Sequence, residues 1–392
     1  MRTCIVIMAG GRGERLWPRS TRKKPKQFQI VLGERTLLQQ TFDRALNIGE
    51  AGDVYVATPL EYFRVVREQL PDLPSENIVV EPISMGTTAT IGYSASYLKE
   101  RMSEVVMVVL PSDHIVSDER KFKEAVDKAV CGARTGNRLI TFGVLPTRPE
   151  TAYGYVECGE GYGLDAFMNR DTVEADNDDN DHLMRVTRFT EKPSLDVATE
   201  FMQTGKHLWN AGIFAWKTSV IIDAIAGHAP EFGRALCAIK GLGFQSGATI
   251  ESALADGADF GDWMGAATEI YAACGVSGPK SIDYAVMEKA DKVFVVPVDF
   301  MWDDVGNWTA MERIRTRDGC GNAICGRVFA LDSHSNIIEN CSQDKVIVAC
   351  GVRDLVIVNA DDAILIMDKT QGHDIQKIRK AVMNKNDDRA NN

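Results

Sequence analysis

No stretch of this sequence is apolar for long enough to cross a bilayer. The longest apolar run, Val105 to Leu110, falls far short of the roughly 20 residues that a spanning helix needs. The opening residues reach glycine at Gly10 without the charged head, apolar centre and small-residue cleavage site of a secretory leader, so a cytoplasmic protein without membrane association is expected. Paired cysteines are missing too. Nine cysteines, an odd number, are scattered from Cys4 to Cys350 with no C-x-x-C spacing, which speaks against a disulfide framework or a zinc site and for free, mostly buried thiols. Positive charge is also in short supply. The net charge of −11 argues against nucleic-acid binding, which needs a surplus of cations facing the phosphates.

One segment runs against that balance. Residues 1–35 carry nine basic side chains (Arg2, Arg12, Arg15, Arg19, Arg22, Lys23, Lys24, Lys26 and Arg35) against Glu14 and Glu34, so a small, concentrated anion is the implied partner.

The 392 residues, 45% hydrophobic and 25% charged, suffice for two or three globular domains. Short apolar runs at Cys4 to Met8, Val54 to Ala57, Ile78 to Val80, Val105 to Leu110 and Leu139 to Val144 alternate with amphipathic stretches at 36–47, 60–70, 87–101 and 119–134. That alternation predicts an α/β fold with a doubly wound, Rossmann-like, mostly parallel sheet, whose ligands sit at the carboxyl ends of the strands. From about residue 150 the pattern becomes hairpin-like, interrupted by an acidic loop insertion at about 163–183. Helical segments are expected near 194–204, 218–240 and 279–290, with a further strand at Val293 to Val298. Beyond Gly319 come short β-like runs broken by Asp, Asn and Gly, which predict a small β domain, a short left-handed β-helix being one form for it. The division expected is therefore 1–318, 319–383 and a flexible tail at 384–392.

The first strand feeds Ala9-Gly10-Gly11-Arg12-Gly13-Glu14-Arg15-Leu16, with Pro25-Lys26-Gln27-Phe28 shortly after. Glycines directly behind a buried strand let the backbone turn sharply and bring its N–H groups close to phosphate oxygens. The run lacks the Gly-Lys-Ser/Thr ending of a P-loop, and Leu16 stands where a dinucleotide fingerprint needs its last glycine.

This loop, together with Lys24 to Phe28, closely resembles the signature of sugar-phosphate nucleotidyltransferases, and its Leu16-Trp17-Pro18 and Lys24-Pro25-Lys26-Gln27-Phe28 details resemble the mannose-1-phosphate guanylyltransferase branch. Leu110 to His114, Tyr153-Gly154-Tyr155, Glu191-Lys192-Pro193, Trp209 to Phe214, Ser281 to Lys289 and Trp302 to Trp308 extend the resemblance in order to about residue 310. It implies Mg²⁺-dependent, in-line attack of α-D-mannose 1-phosphate on the α-phosphate of GTP, giving GDP-mannose and pyrophosphate. Arg15 and Lys26 would steady the triphosphate, with Gly10, Gly11, Arg12, Gly13, Glu14 and Thr88 around the nucleotide. Asp113 and Asp304 would hold Mg²⁺, while Asp303 could compete as ligand or face solvent. Lys192 would meet the sugar phosphate, with Gly154, Glu191, Asn210 and Asp283 around the sugar. His114 is read as structural or orienting, because an ionised phosphate needs no general base. The small β domain would serve subunit contact, making a homodimer or higher homo-oligomer. Gly86 to Thr90 departs from the family's usual segment near the base. The alternatives are another sugar 1-phosphate (manno-heptose or glucose), another nucleoside triphosphate, or a non-catalytic sugar-nucleotide-binding subunit.

Overall fold

The computed structural model describes residues 1–11, 13–159, 183–361, 363–375 and 377–382. Arg12, the acidic insertion up to residue 182 and the tail from 384 lie outside the described residues. Packing divides the chain into two compact units, each discontinuous in sequence.

The first unit comprises Met1–Gly10, Thr41–Ser112 and Val116–Trp302. Its centre is a 10-stranded sheet. The strands are β1 (Thr3–Met8), β2 (Val54–Pro59), β3 (Ile78–Glu81), β4 (Val106–Pro111), β5 (Leu139–Val144), β6 (Gly154–Cys158), β7 (Met184–Glu191), β8 (His207–Lys217), β9 (Gln245–Ser246) and β10 (Val293–Val298). Their order is β9-β3-β2-β1-β4-β8-β5-β10-β7-β6. The block β3-β2-β1-β4 is parallel, with Ile5 beside both Val54 and Val108. Strand β8 then enters antiparallel between β4 and β5, and β6 and β7 form the expected hairpin-like pair. The sheet is therefore mixed, with its parallel character concentrated in the first half. Apolar runs betray strands but not their direction, and the late hairpin strands return to the sheet against the grain.

Strand periodicity of two sends Cys4 and Val6 to one face and Ile5 and Ile7 to the other. All four are buried, so both faces of β1 are covered. Cys4 and Val6 share a core with Ile91, Leu98, Ile221 and Phe232 from the helices Thr87–Met102, Thr218–His228 and Pro230–Lys240. The continuous helical segment expected at 218–240 is broken at Ala229, ahead of Pro230, since proline disfavours helix at the residue before it. The helix Glu119–Thr135 packs on β8 and β10, and Asp118 caps it by accepting the Lys121 N–H at 2.9 Å. Each fully enclosed side chain such as Trp216, Phe142 or Phe122 contributes roughly 1.5–3 kcal/mol by leaving water.

The second unit comprises Gly11–Gln40, Asp113–Ile115 and Asp303–Asn392. Its strands β11 (Ala323–Cys325), β13 (Ile337–Asn340) and β15 (Leu355–Asn359) stack in parallel register, with Ala323 beside Ile337 and Ile337 beside Val356. Strands β12 (Val328–Leu331) and β14 (Ile347–Cys350) make a second parallel pair, and β16 (Ile364–Asp368) closes the first sheet antiparallel. These are coils of a β-helix. Buried asparagines hold the corners: Asn336 donates to Asn322 Oδ1 and Asn359 to Asn340 Oδ1, each at 2.9 Å.

The units do not follow the linear division at 318/319. Leu16 and Val31 of the early loop, Ile115, and Trp308 share one core with Ile337, Val356 and Leu365 of the coils. Periodicity shows that Leu16 and Trp308 are apolar, not which core they join. The nine cysteines are free, but only Cys4 and Cys158 are buried; Cys131, Cys237, Cys320 and Cys350 are exposed. A thiol's preference for burial does not decide the face of the element that carries it.

Candidate active site

Most of the described residues singled out by sequence fall into two clusters, one in each unit. In the second unit a cavity of about 320 Å³ is lined by Gly13, Glu14, Arg15, Lys26, Asp113, His114 and Asp304. The backbone at Gly13 is left-handed (φ +56°), and a Cβ there would fall 2.3 Å from Lys26 Cβ. Only glycine lets the loop lie against the Lys26–Phe28 turn. Gln27 fastens the same two segments by donating from Nε2 to the Gly11 carbonyl at 2.7 Å.

Lys26 is 5% exposed, so its charge must be compensated within the protein. Its Nζ lies 2.6 Å from Asp113 Oδ2 and donates to the Asp304 backbone carbonyl. Burial alone would push the Asp113 carboxyl up; Lys26, then His114, outweigh burial and hold it below the usual carboxylate range. His114 Nε2 stands 3.7 Å from Asp113 Oδ1, beyond hydrogen-bond reach. Asp304 accepts the Gly306 N–H at 3.0 Å on Oδ1. Its neighbour Asp303 neither faces solvent nor lines the cavity: it is 3% exposed, accepts the Val305 N–H at 2.8 Å and pairs with Arg313 at 2.6 Å.

Arg15 is exposed at the cavity lining, and Glu14 beside it is tied to Arg379 at 2.6 Å. The basic segment is not one anion-facing patch. Arg2 pairs with Asp53, Arg19 with Glu339, Lys24 with Asp361 and Lys26 with Asp113. Charge counting locates cations but not the carboxylates that claim them. Two carboxylates on one cavity suit Mg²⁺, which takes one or two and completes its shell with water and phosphate oxygens. Among the described residues no group of three or more His, Cys, Asp or Glu is placed to hold a metal ion.

The first unit gathers Gly154, Glu191, Asn210 and Asp283. Gly154 and Glu191 are register partners across β6 and β7, and a Cβ on Gly154 would lie 2.5 Å from Glu191 Oε2. Asn210 on β8 donates from Nδ2 to Asp283 Oδ1 at 2.9 Å, while Thr141 donates to Asn210 Oδ1 at 2.6 Å and fixes the amide's orientation. Asp283 opens a single π-helical turn, Asp283–Met287, where a longer helix over 279–290 was expected; such turns recur at functional sites. Burial, then the nearby Glu191 charge, pushes the Asp283 carboxyl up to about 7. Lys192 pairs with Glu191, lies 5.8 Å over the Tyr284 ring and adopts a left-handed backbone (φ +48°), uncommon for a residue with a side chain.

Gly10 lies against Pro59 in this unit, and Thr88 is fully buried with its hydroxyl unpartnered among the described residues. Sequence reasoning passed over Glu81, at the carboxyl end of β3 near Gly10, which is buried, accepts from Thr90 Oγ1 at 2.9 Å and is pushed by burial to about 7. Its signal was a lone acidic residue ending an apolar strand. Thr141 gave none, since a threonine inside a strand is ordinary.

The chain matches the Nucleotidyl transferase family over residues 4–318 and the MannoseP isomerase/GMP-like beta-helix domain over residues 326–382. It is 33% identical over 378 residues to a mannose-1-phosphate guanylyltransferase of Escherichia coli, covering 95% of this chain and 72% of that protein. The mannose-1-phosphate guanylyltransferase RfbM of Salmonella typhimurium is 34% identical over 377 residues, covering 95% and 71%. A crystal structure described as mannose-1-phosphate geranyltransferase from Thermus thermophilus superposes with a TM-score of 0.77 at 30% identity, covering 98% of this chain and 100% of that one.

Proposed function

Because the chain belongs to the nucleotidyl transferase family, and within it to the mannose-1-phosphate guanylyltransferases, we propose that it joins α-D-mannose 1-phosphate to GTP, releasing pyrophosphate and GDP-mannose. The observation that carries this reading is the grouping of Arg15, Lys26, Asp113 and Asp304 on one cavity behind a glycine turn.

An oxygen of the sugar phosphate attacks the α-phosphorus; a P–O bond forms there as the bond to the β-phosphate oxygen breaks and pyrophosphate departs. Two anions must be brought together, so cations aimed at the developing charge do most of the work. Arg15 offers a planar fork to the phosphate oxygens, and Lys26 a point charge held in place by Asp113. Asp113 and Asp304 would hold Mg²⁺, which when bound supplies positive charge to the phosphate oxygens. Glu191, Asn210 and Asp283 present two carboxylates and an oriented amide, a set suited to reading sugar hydroxyls, and Lys192 beside them suits the sugar's phosphate. No proton need be removed from an ionised phosphate, so His114 keeps an orienting role.

Incubation with Mg²⁺, each of the four common nucleoside triphosphates and mannose, glucose or manno-heptose 1-phosphate tests the assignment. Pyrophosphate release fastest with GTP and mannose 1-phosphate is expected; equal rates with all four nucleotides would remove the guanylyl assignment. The coils of the second unit expose Phe329, Leu331 and Val348 on one sheet and Ile364 and Ile366 on the other, apolar side chains that support self-association. Light scattering should then give at least a dimer, and a monomer alone would count against it.

A further inference from the structure

Glu339, on strand β13 of the β coils, is 2% exposed and held by two arginines: Arg19 donates from Nη1 to Oε1 and Arg315 from Nη1 to Oε2. Each arginine turns its other terminal nitrogen to a backbone carbonyl, Arg19 to Ile30 and Arg315 to Val31. Arg19 precedes the Lys26–Phe28 turn, and Ile30 and Val31 follow it. One carboxylate thus gathers both ends of the loop that carries Lys26. Inside the loop Gln29 donates from Nε2 to the Lys24 carbonyl at 2.9 Å, so the segment is tied at its neck and across its middle.

We propose that Glu339 is a positioning residue for the nucleotide site. It holds the neck of the Lys26 loop so that the ammonium stays 2.6 Å from Asp113 on the cavity. Guanidinium groups keep their charge under any ordinary condition, and without Glu339 two part-buried cations would lack their shared carboxylate. If the site needed only a filled core, apolar side chains would serve as well or better. What the carboxylate adds is direction, because two forks on two oxygens fix where Arg19 and the carbonyls of Ile30 and Val31 lie. The β coils thereby act on chemistry, beyond any part they play in assembly. This inference rests on the reading of Lys26 as a triphosphate cation.

The test uses the full chain with Glu339→Gln, and Arg19→Lys as a milder change that retains charge but loses the fork. Michaelis constants for GTP and for mannose 1-phosphate are measured separately, alongside backbone amide exchange over residues 26–31. Glu339→Gln should raise KM for GTP about 10-fold or more and lower kcat, because small displacements of a positioned cation cost that much. KM for mannose 1-phosphate should stay within about twofold, a change too small to signal a lost contact. The amides of Phe28 and Gln29 should exchange faster, with β4 unaffected. Arg19→Lys should move the same quantities less, and it decides the matter if Glu339→Gln does not fold. A merely structural role predicts less folded protein with both KM values intact and unchanged exchange in the loop, and that result overturns the proposal. A wild-type chain that turns over no nucleotide sinks the functional reading instead, and the exchange result then decides whether Glu339 holds the turn.

Discussion

Asp113 and Asp283 are the same residue type, both half-buried, and their surroundings push them opposite ways. Around Asp113 the second unit sets Lys26 at 2.6 Å and His114 nearby, so the carboxyl stays ionised despite burial. Around Asp283 burial, then the Glu191 charge, push the carboxyl up to about 7 against the opposing hydrogen bond from the Asn210 amide. Opposite charges in contact suit one cluster to meeting phosphate and a cation. A carboxyl raised to about 7 and joined to an amide suits the other to exchanging hydrogen bonds with hydroxyls, where a full charge would be costly to desolvate. Lys26 is paired with Asp113; Lys192, 43% exposed, stands on a strained turn over Tyr284.

The comparison breaks most sharply through Asp113 and Asp304. Asp113→Ala or Asp304→Ala should each lower kcat at least about 10³-fold, the scale seen when a group acting on transition-state charge is removed. Asp303→Ala, one residue away, should leave kcat within about tenfold while lowering stability by about 1–3 kcal/mol, because Arg313 and the Val305 N–H lose their acceptor. Steady-state rates and thermal melts on the three variants separate the cases. Near-normal rates in both Asp113→Ala and Asp304→Ala would remove the metal assignment, and equal losses for Asp303 and Asp304 would erase the division between them. In the other cluster Asn210→Ala should raise KM for the sugar phosphate about 10- to 100-fold and leave KM for the nucleotide alone, since a buried polar site left unpaired discriminates by hydrogen bonds. Loss falling on the nucleotide side instead would reverse the two roles.

How much of this was legible in the sequence differs between the clusters. The glycine turn, Lys26, Asp113 and Asp304 stood out because each carries chemistry in a motif, and the structure gathers Gly13, Arg15, Lys26, Asp113 and Asp304 on one cavity. The strands were legible from apolar runs, down to Thr3–Met8 and Val106–Pro111, and the β coils from short runs broken by Asn, Asp and Gly. Long-range pairing was not. Nothing near Glu339 in sequence says that Arg19 and Arg315 will claim it, and nothing near Asp303 beyond its acidity points to Arg313. Thr88 shows the converse, a residue chosen from a stretch that departs from the family's usual segment, whose side chain is fully buried. Periodicity reports what a strand or helix turns inward, while the partner it meets is set by the topology of the whole sheet.

The smallest effect sharpens the contrast between the two aspartates through pH. The Asp283 carboxyl titrates in the folded protein at about 7 against 3.8 as the ordinary value. Between those values the folded chain holds a proton that the unfolded chain has released, so this group's contribution to stability falls as pH rises through the window. Above about 7 the folded state carries a half-buried anion beside Glu191. Asp283→Asn stays neutral throughout and still offers Asn210 an acceptor, so it should melt with the wild type below about pH 4 and increasingly above it as pH rises to about 7, by a few degrees or about 1–2 kcal/mol. Asp113, held below the usual range, predicts the opposite sign: its contribution is present above the ordinary carboxylate value and is lost only as pH falls into strong acid. Melting curves of wild type and Asp283→Asn across that range decide it. A gap between them that does not change with pH would mean that Asp283 is already ionised in the folded protein, and the likeness of the two carboxyls would replace their difference.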